Sequence, residues 1–261
     1  MSAAAKTIRG PCPVCARGGR DSALATTHDE RGIVTYCHRC HYSEVDNHRV
    51  TAPGGSVPAK TYRPWIELAD YLWHSAEPLQ GSLAATYLKR RGCRLPPDDG
   101  DLRFLPARGE HPAAMLARVT DAVTAAPISL HFTRLNADAT KVADRPKLLL
   151  AGHRKSGGVI RLWPDESVTR GLAISEGIET ALAAAHGSSP VWAAIDAGNL
   201  GAFPLLDGIE SLTIIADHDD AGLSAANNCA RRWANAGREV RVATPRIAGM
   251  DAADLVAEVA A

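Results

Sequence analysis

The chain has 261 residues, 46% of them hydrophobic, with 29 basic and 29 acidic side chains and a formal net charge of zero. This is the composition of a folded protein with one large domain or two to three smaller ones, and the charge balance excludes a strongly basic, coat-like nucleic-acid binder while leaving room for local basic patches. No run of eighteen apolar residues occurs and Met1–Gly10 lacks the apolar core of a signal peptide, so the expected location is the cytoplasm, with no membrane span.

In residues 1–52, four of the six cysteines fall as Cys12-Pro13-Val14-Cys15 and Cys37-His38-Arg39-Cys40, with 21 residues between the pairs. Two such knuckles present four thiolates to one tetrahedral zinc ion. A reducing cytoplasm favours zinc over disulfides. Between the knuckles, Ser22–Thr27 and Gly32–Tyr36 read as short strands joined at Asp29–Gly32, the outline of a zinc ribbon. A region this small cannot bury enough core to fold alone, so the metal supplies its stability. Arg31, Tyr36, His38, Arg39 and His41 offer cationic and stacking groups suited to a single-stranded template, which makes the ribbon structural, recognising, or both.

Residues 53–64 open with Pro53-Gly54-Gly55-Ser56-Val57-Pro58-Ala59 and have the composition of a flexible tether. Residues 65–168 begin with helical spacing over Trp65–Ala76 and over Ser82–Arg91, the second stopped by Gly92. Short runs follow at Leu102–Leu105, Ala114–Thr120, Ile128–Thr133, Leu148–Leu150 and Val159–Leu162, bounded by Gly, Pro and Asp. They predict an α+β unit on an antiparallel sheet. No Gly-x-x-x-x-Gly-Lys-Ser/Thr frame is present, so no ATP-driven motor is encoded in these residues. Cys93 and Cys229 read as packing residues.

Residues 169–261 alternate strand and helix: strand Leu172–Ser175, helix Glu179–His186, strand Val191–Ala194, a turn through Asp196–Asn199, strand Leu212–Ala216, helix Ala221–Ala236 and strand Val240–Ala243. This pattern predicts an α/β, Rossmann-like fold with a parallel sheet. Two strands run straight into acids, one into Glu176-Gly177 and the other into Asp217-His218-Asp219-Asp220. Ligands sit beyond the carboxyl ends of such strands, and Asp217 and Asp219, two apart, can turn toward one hard cation. Asp220 reads as the cap of the following helix, Gly222 as a point of close approach, and Asp196 and Asn199 as lining from another strand end.

The strand-Glu176-Gly177 step, followed 41 residues later by Asp217-x-Asp219, resembles the Toprim domain shared by primases, topoisomerases and some nucleases. The resemblance implies that Glu176, Asp217 and Asp219 are catalytic and bind Mg2+ or Mn2+, with Glu176 a general acid/base in members that cleave. Gly249-Met250-Asp251-Ala252-Ala253-Asp254 resembles the acidic tail of the same domain, with alanines in place of the usual residues before Asp254. Tyr87-Leu88-Lys89-Arg90-Arg91-Gly92, Leu102-Arg103-Phe104 and Pro146-Lys147-Leu148-Leu149 resemble the segment preceding Toprim in phage and plasmid primases. That likeness implies nucleotide or template contact by Lys147 and Arg161, with Arg145, Arg154 and Lys155 as weaker candidates; for Lys147 the alternative is a solvent-facing strand position.

Zinc ribbon, α+β middle domain and Toprim domain, in that order, are similar to the arrangement of bacterial, phage and mobile-element DNA primases. The implied activity is synthesis of short RNA primers on single-stranded DNA from nucleoside triphosphates, by metal-dependent nucleotidyl transfer during DNA replication, with a replicative helicase in trans. A Toprim nuclease and a non-catalytic DNA-binding replication module are the alternatives.

Overall fold

The computed structural model describes residues 6–15, 21–29, 32–37, 43–46, 67–245 and 249. The chain divides into two compact units, Met1–Lys60 and Thr61–Ala261. Residues 53–64, Trp65, Arg31, His38, Arg39, Cys40, His41, Asp251 and Asp254, all named in the sequence reading, lie outside the described residues. No helix among the described residues is long and apolar enough to cross a membrane.

In the first unit, β1 (Lys6–Gly10), β2 (Leu24–Asp29), β3 (Gly32–Cys37) and β4 (Ser43–Asp46) form an antiparallel sheet in that order. The β2–β3 hairpin aligns Asp29 with Gly32 and Leu24 with Cys37. These are the two predicted ribbon strands. The flanking β1 and β4 were not predicted, because their sequences, Lys-Thr-Ile-Arg-Gly and Ser-Glu-Val-Asp, carry one apolar side chain each and no alternation to read.

The second unit opens with α1 (Glu67–His74), shorter than the predicted helix, then β5 (Glu77–Pro78) and α2 (Leu83–Arg90). Ser82 caps α2 by accepting the Ala85 N–H at 3.2 Å, and Gly92, in the left-handed region at φ +67°, lets the chain leave the helix. An antiparallel sheet follows from β6 (Leu102–Leu105), β7 (Ala113–Asp121), β8 (Pro127–Leu135), β9 (Lys147–Leu149) and β10 (Gly158–Val159). Its order is β5-β6-β7-β8-β9, with β10 on β7. One face packs Leu116 and Leu130 on Ala69 and Trp73 of α1. The other packs Met115, Ala117 and Val119 into the main core with Leu88 of α2. With both faces covered, Ala113–Ala117 is buried without a break.

The chain then builds a parallel sheet in the order β12-β11-β13-β14 from β11 (Gly171–Ser175), β12 (Val191–Ala193), β13 (Ser211–Ile215) and β14 (Glu239–Ala243). Helices α3 (Ile178–Ala184), α4 (Ala197–Gly201) and α5 (Asp220–Asn235) connect the strands. The predicted turn at Asp196–Asn199 is instead the start of α4, because Asp196 accepts the Asn199 N–H at 2.9 Å and nucleates a helical turn. The predicted strand Val159–Leu162 is also shorter. It leaves β7 after Val159, and Ile160 then exchanges backbone hydrogen bonds of 2.8 and 3.0 Å with Ala193 of β12. That bridge stitches the antiparallel sheet to the edge of the parallel one, and Met115, Ile160, Ile178 and Ala193 share one core.

Arg161, predicted to contact nucleotide or template, belongs to this stitch. It is buried, its Nε donates to Asp165 Oδ1 at 2.7 Å, and its other nitrogens donate to Thr120 Oγ1 and to the Asp121 and Ala122 carbonyls. Its guanidinium lies 4.5 Å from the Trp192 ring centroid. With its face stacked and four of its five N–H groups donating within the protein, Arg161 is placed in the core and not on an open surface. Replacing it with Met leaves the Ala122 carbonyl without its donor and removes one bond each from Thr120 Oγ1 and the Asp121 carbonyl. Urea unfolding of Arg161→Met is expected to show a loss of about 2–4 kcal/mol.

Candidate active site

The order β12-β11-β13-β14 contains one topological switch point. From β11 the chain steps outward to β12, then crosses back to β13 on the other side. The crevice at such a point lies between the carboxyl ends of the two diverging strands, here β11 and β13. Ser175 pairs with Ile215, so Glu176 lies one residue beyond its strand end and Asp217 two beyond the other.

Local contacts fix each acid. Ser175 Oγ donates to the Gly177 carbonyl at 2.9 Å, closing the turn that carries Glu176. Thr180 of α3 donates to Asp217 Oδ1 at 3.2 Å. Asp219 has extended backbone (φ −128°, ψ 168°) and accepts the Gly222 N–H at 2.7 Å, so Asp219 caps α5 and Asp220 is its first residue. This corrects the predicted cap by one position, since Asp219 has the extended backbone of a cap and Asp220 is already helical. Gly222 is required: a Cβ there would stand 2.6 Å from the Asp217 carbonyl oxygen.

A fourth acid, Asp196, follows the end of β12 and forms a 2.5 Å ion pair with Lys155. Asn199 holds the Lys155 turn in place, donating to the Lys155 and Gly158 carbonyls at 2.8 and 3.2 Å. Burial pushes the Glu176 carboxyl up to about 7, reinforced by Asp217, Asp219 and Asp196 and opposed by Lys147. The oxygens of these acids do not crowd into a single tight group. Among the described residues, the cysteines alone bring three ligand atoms within 4.8 Å of one another.

Residues 171–261 match the family described as Toprim domain. That stretch of the chain is a Toprim domain. Residues 65–162 match a domain of unknown function, DUF7146. No curated protein matches the chain. Among solved structures, a DNA primase domain from Pseudomonas aeruginosa is similar with a TM-score of 0.39 at 16% identity, over 69% of this chain and 56% of that one. The Aquifex aeolicus primase, comprising zinc-binding and RNA polymerase domains, is similar with a TM-score of 0.49 at 13% identity, over 97% of this chain and 75% of that one. The chain thus spans 56% of the length of the first of these structures.

Beside the Toprim carboxylates stands Lys147, at the start of β9. Its Nζ lies 3.2 Å from Glu179 Oε2 and 3.9 Å from where a Cβ on Gly177 would be, which sets the ammonium at the Glu176–Gly177 turn. The other basic candidates are placed differently. Arg154 is tied to Asp121 at 2.7 Å, Arg145 is exposed beside Asp144 at 3.6 Å, and Arg161 is in the core.

Sequence reasoning missed Glu179 and the polar row Ser129, His131 and Thr133 on β8. All four are buried. Ser129 Oγ, His131 Nδ1 and Thr133 Oγ1 have no hydrogen-bond partner, and burial, with Lys147 acting in the same direction, pushes His131 down to about 4. The signal for Glu179 was a carboxylate inside α3, whose sequence is otherwise Ile, Thr, Ala and Leu. For the β8 row it was polar side chains at alternate positions of a long strand.

In the first unit, Cys12, Cys15 and Cys37 are unbridged and bring their sulfurs together, with Cys15 and Cys37 3.6 Å apart. A tetrahedral thiolate centre with bonds of about 2.3 Å needs sulfurs about 3.8 Å apart, so this donor set fits one metal ion. Val14 N–H points at Cys12 Sγ at 3.4 Å.

The Glu176 shift has a defined sign. The folded protein holds this proton more tightly than the unfolded chain, whose glutamates titrate near 4.5, so the associated stability is complete below about pH 4.5 and is lost as pH rises through about 7. Glu176→Gln is neutral at every pH. In chelator, urea midpoints are therefore expected to show Gln stabilising the protein more at pH 7.5 than at pH 5; a pH-independent difference would contradict the raised Glu176 carboxyl.

Proposed function

We propose that the chain is a DNA primase that makes short RNA primers on single-stranded DNA from nucleoside triphosphates. The observation carrying this reading is the placement of Glu176, Asp217 and Asp219 at the switch point of a Toprim domain, with Lys147 alongside. The donor set suits a hard divalent cation: carboxylates at adjacent strand ends, one of them raised to about 7 by burial and then by the neighbouring acids. Glu176, Asp217 and Asp219 would hold Mg2+ or Mn2+, which supplies charge neutralisation at the reacting phosphate and a more acidic attacking hydroxyl.

The chain's own residues do the rest. Lys147 offers an ammonium to the phosphate oxygens of the incoming nucleotide, and Lys155, poised on Asp196, offers a second. Thr180 and the Gly222 N–H hold Asp217 and Asp219 in fixed orientations, so little reorganisation accompanies the reaction. Glu176 is the carboxyl best matched to taking up or giving a proton near neutral pH. That property also serves a Toprim nuclease, which would protonate a leaving oxygen where a primase deprotonates an attacking one.

In this reading Cys12, Cys15, Cys37 and Cys40 bind zinc, and the ribbon contributes template contact through groups such as the exposed Tyr36. A replicative helicase is the partner this reading implies.

The test is primer synthesis by zinc-loaded protein on single-stranded DNA with labelled ribonucleotides and Mg2+ or Mn2+. Wild type is expected to give a metal-dependent ladder, reduced about 100-fold or more in Asp217→Ala/Asp219→Ala. Shortening of a labelled strand in place of a ladder would establish the nuclease. Neither activity in wild type would leave a binding module.

A further inference from the structure

A buried carboxylate with three partners stands next to the candidate site and takes no part in the reading above. The Glu179 side chain is 4% exposed. Its Oε1 accepts from Tyr87 Oη at 2.8 Å and pairs with Lys141 Nζ at 2.7 Å, while Oε2 pairs with Lys147 Nζ at 3.2 Å. An unpartnered carboxylate at this depth would cost several kcal/mol, so the partners are a condition of the fold. The lysine charges overcome the burial penalty and hold Glu179 well below the usual carboxylate range.

The division of labour between the oxygens is informative. Two donors from different elements, Tyr87 on α2 and Lys141 in the β8–β9 connection, saturate Oε1 and fix the plane of the carboxylate. Oε2 is then aimed at one group, and that group is the ammonium beside Glu176. Two lysines against one carboxylate leave a net positive charge next to the acids. Lys147 is 45% exposed, so its ammonium is held from the buried side and remains open on the other.

We propose that Glu179 is a positioning residue: anchored by Tyr87 and Lys141, it holds Lys147 at the Glu176–Gly177 turn, ready for a nucleotide phosphate. The phosphate half of this inference rests on the primase reading; the positioning half does not.

The experiment reads both halves on the full-length, zinc-loaded protein. Trace acetylation with acetic anhydride, quantified peptide by peptide by mass spectrometry, reports the availability of each amine, with Lys155 as the internal reference because its partner is Asp196. In Glu179→Gln, Lys147 is expected to acetylate about threefold or more faster relative to Lys155. In Lys141→Met, which leaves Lys147 as the one lysine paired with Glu179 in this cluster, it is expected to acetylate more slowly, and this partly exposed position keeps the test open if Glu179→Gln fails to fold. Unchanged Lys147 reactivity in both variants overturns the positioning role. In primer synthesis, Glu179→Gln is expected to raise KM for the ribonucleotide about tenfold with a smaller change in kcat, and to have no further effect in a Lys147→Met background. Additive effects of the two substitutions overturn the claim that Glu179 acts through Lys147. Absence of synthesis in wild type overturns the primase reading alone, and the acetylation result still decides the positioning.

Discussion

Four acids set in a partly buried crevice at the carboxyl ends of three adjacent parallel strands are the constraint around which this protein is arranged. Asp196, Glu176 and Asp217 follow β12, β11 and β13, with Asp219 two residues beyond. Burial first, and the neighbouring acids second, push the Glu176 carboxyl up to about 7. The contacts around it answer that repulsion. Thr180 donates to Asp217, the α5 N-terminus donates to Asp219, and lysines stand beside Asp196 and Glu176.

The compensating cations come from the other sheet. Lys147 begins β9 and Lys155 lies in the turn before β10, so the antiparallel layer supplies ammonium groups to acids carried by the parallel layer. Stitching the two is therefore part of the site's construction. The Ile160–Ala193 bridge, the Arg161 cluster against Trp192 and the Tyr87–Glu179 hydrogen bond all cross between the layers. A strand shift at any of these would separate charge from counter-charge.

What was legible in the sequence was local. An apolar run ending in an acid and a glycine marks β11–Glu176–Gly177, and the same logic marks β13–Asp217, because period and punctuation are properties of neighbouring residues. Ser82 and Gly92 framed α2 for the same reason. Zinc-knuckle spacing is equally local, which is why the cysteine knuckles could be read while the polar strands β1 and β4 could not. The misses were relational. Arg161 looked like a free cation until Thr120, Asp165 and Trp192 came around it from other segments. Glu179 looked like an ordinary helix residue until Tyr87, 92 positions earlier, and two lysines enclosed it. The cap of α5 fell on Asp219 where Asp220 was expected, a choice between adjacent identical side chains that only backbone geometry makes.

The central claim is that Glu176, Asp217 and Asp219 together form a divalent-cation site. Mn2+ binding to the zinc-loaded protein, followed by electron paramagnetic resonance at neutral pH, tests it without requiring turnover. The account predicts that wild type binds Mn2+ and that Asp217→Asn/Asp219→Asn weakens binding by about tenfold or more, since a hard cation loses two anionic oxygen ligands. Equal Mn2+ affinity in the two proteins would contradict it.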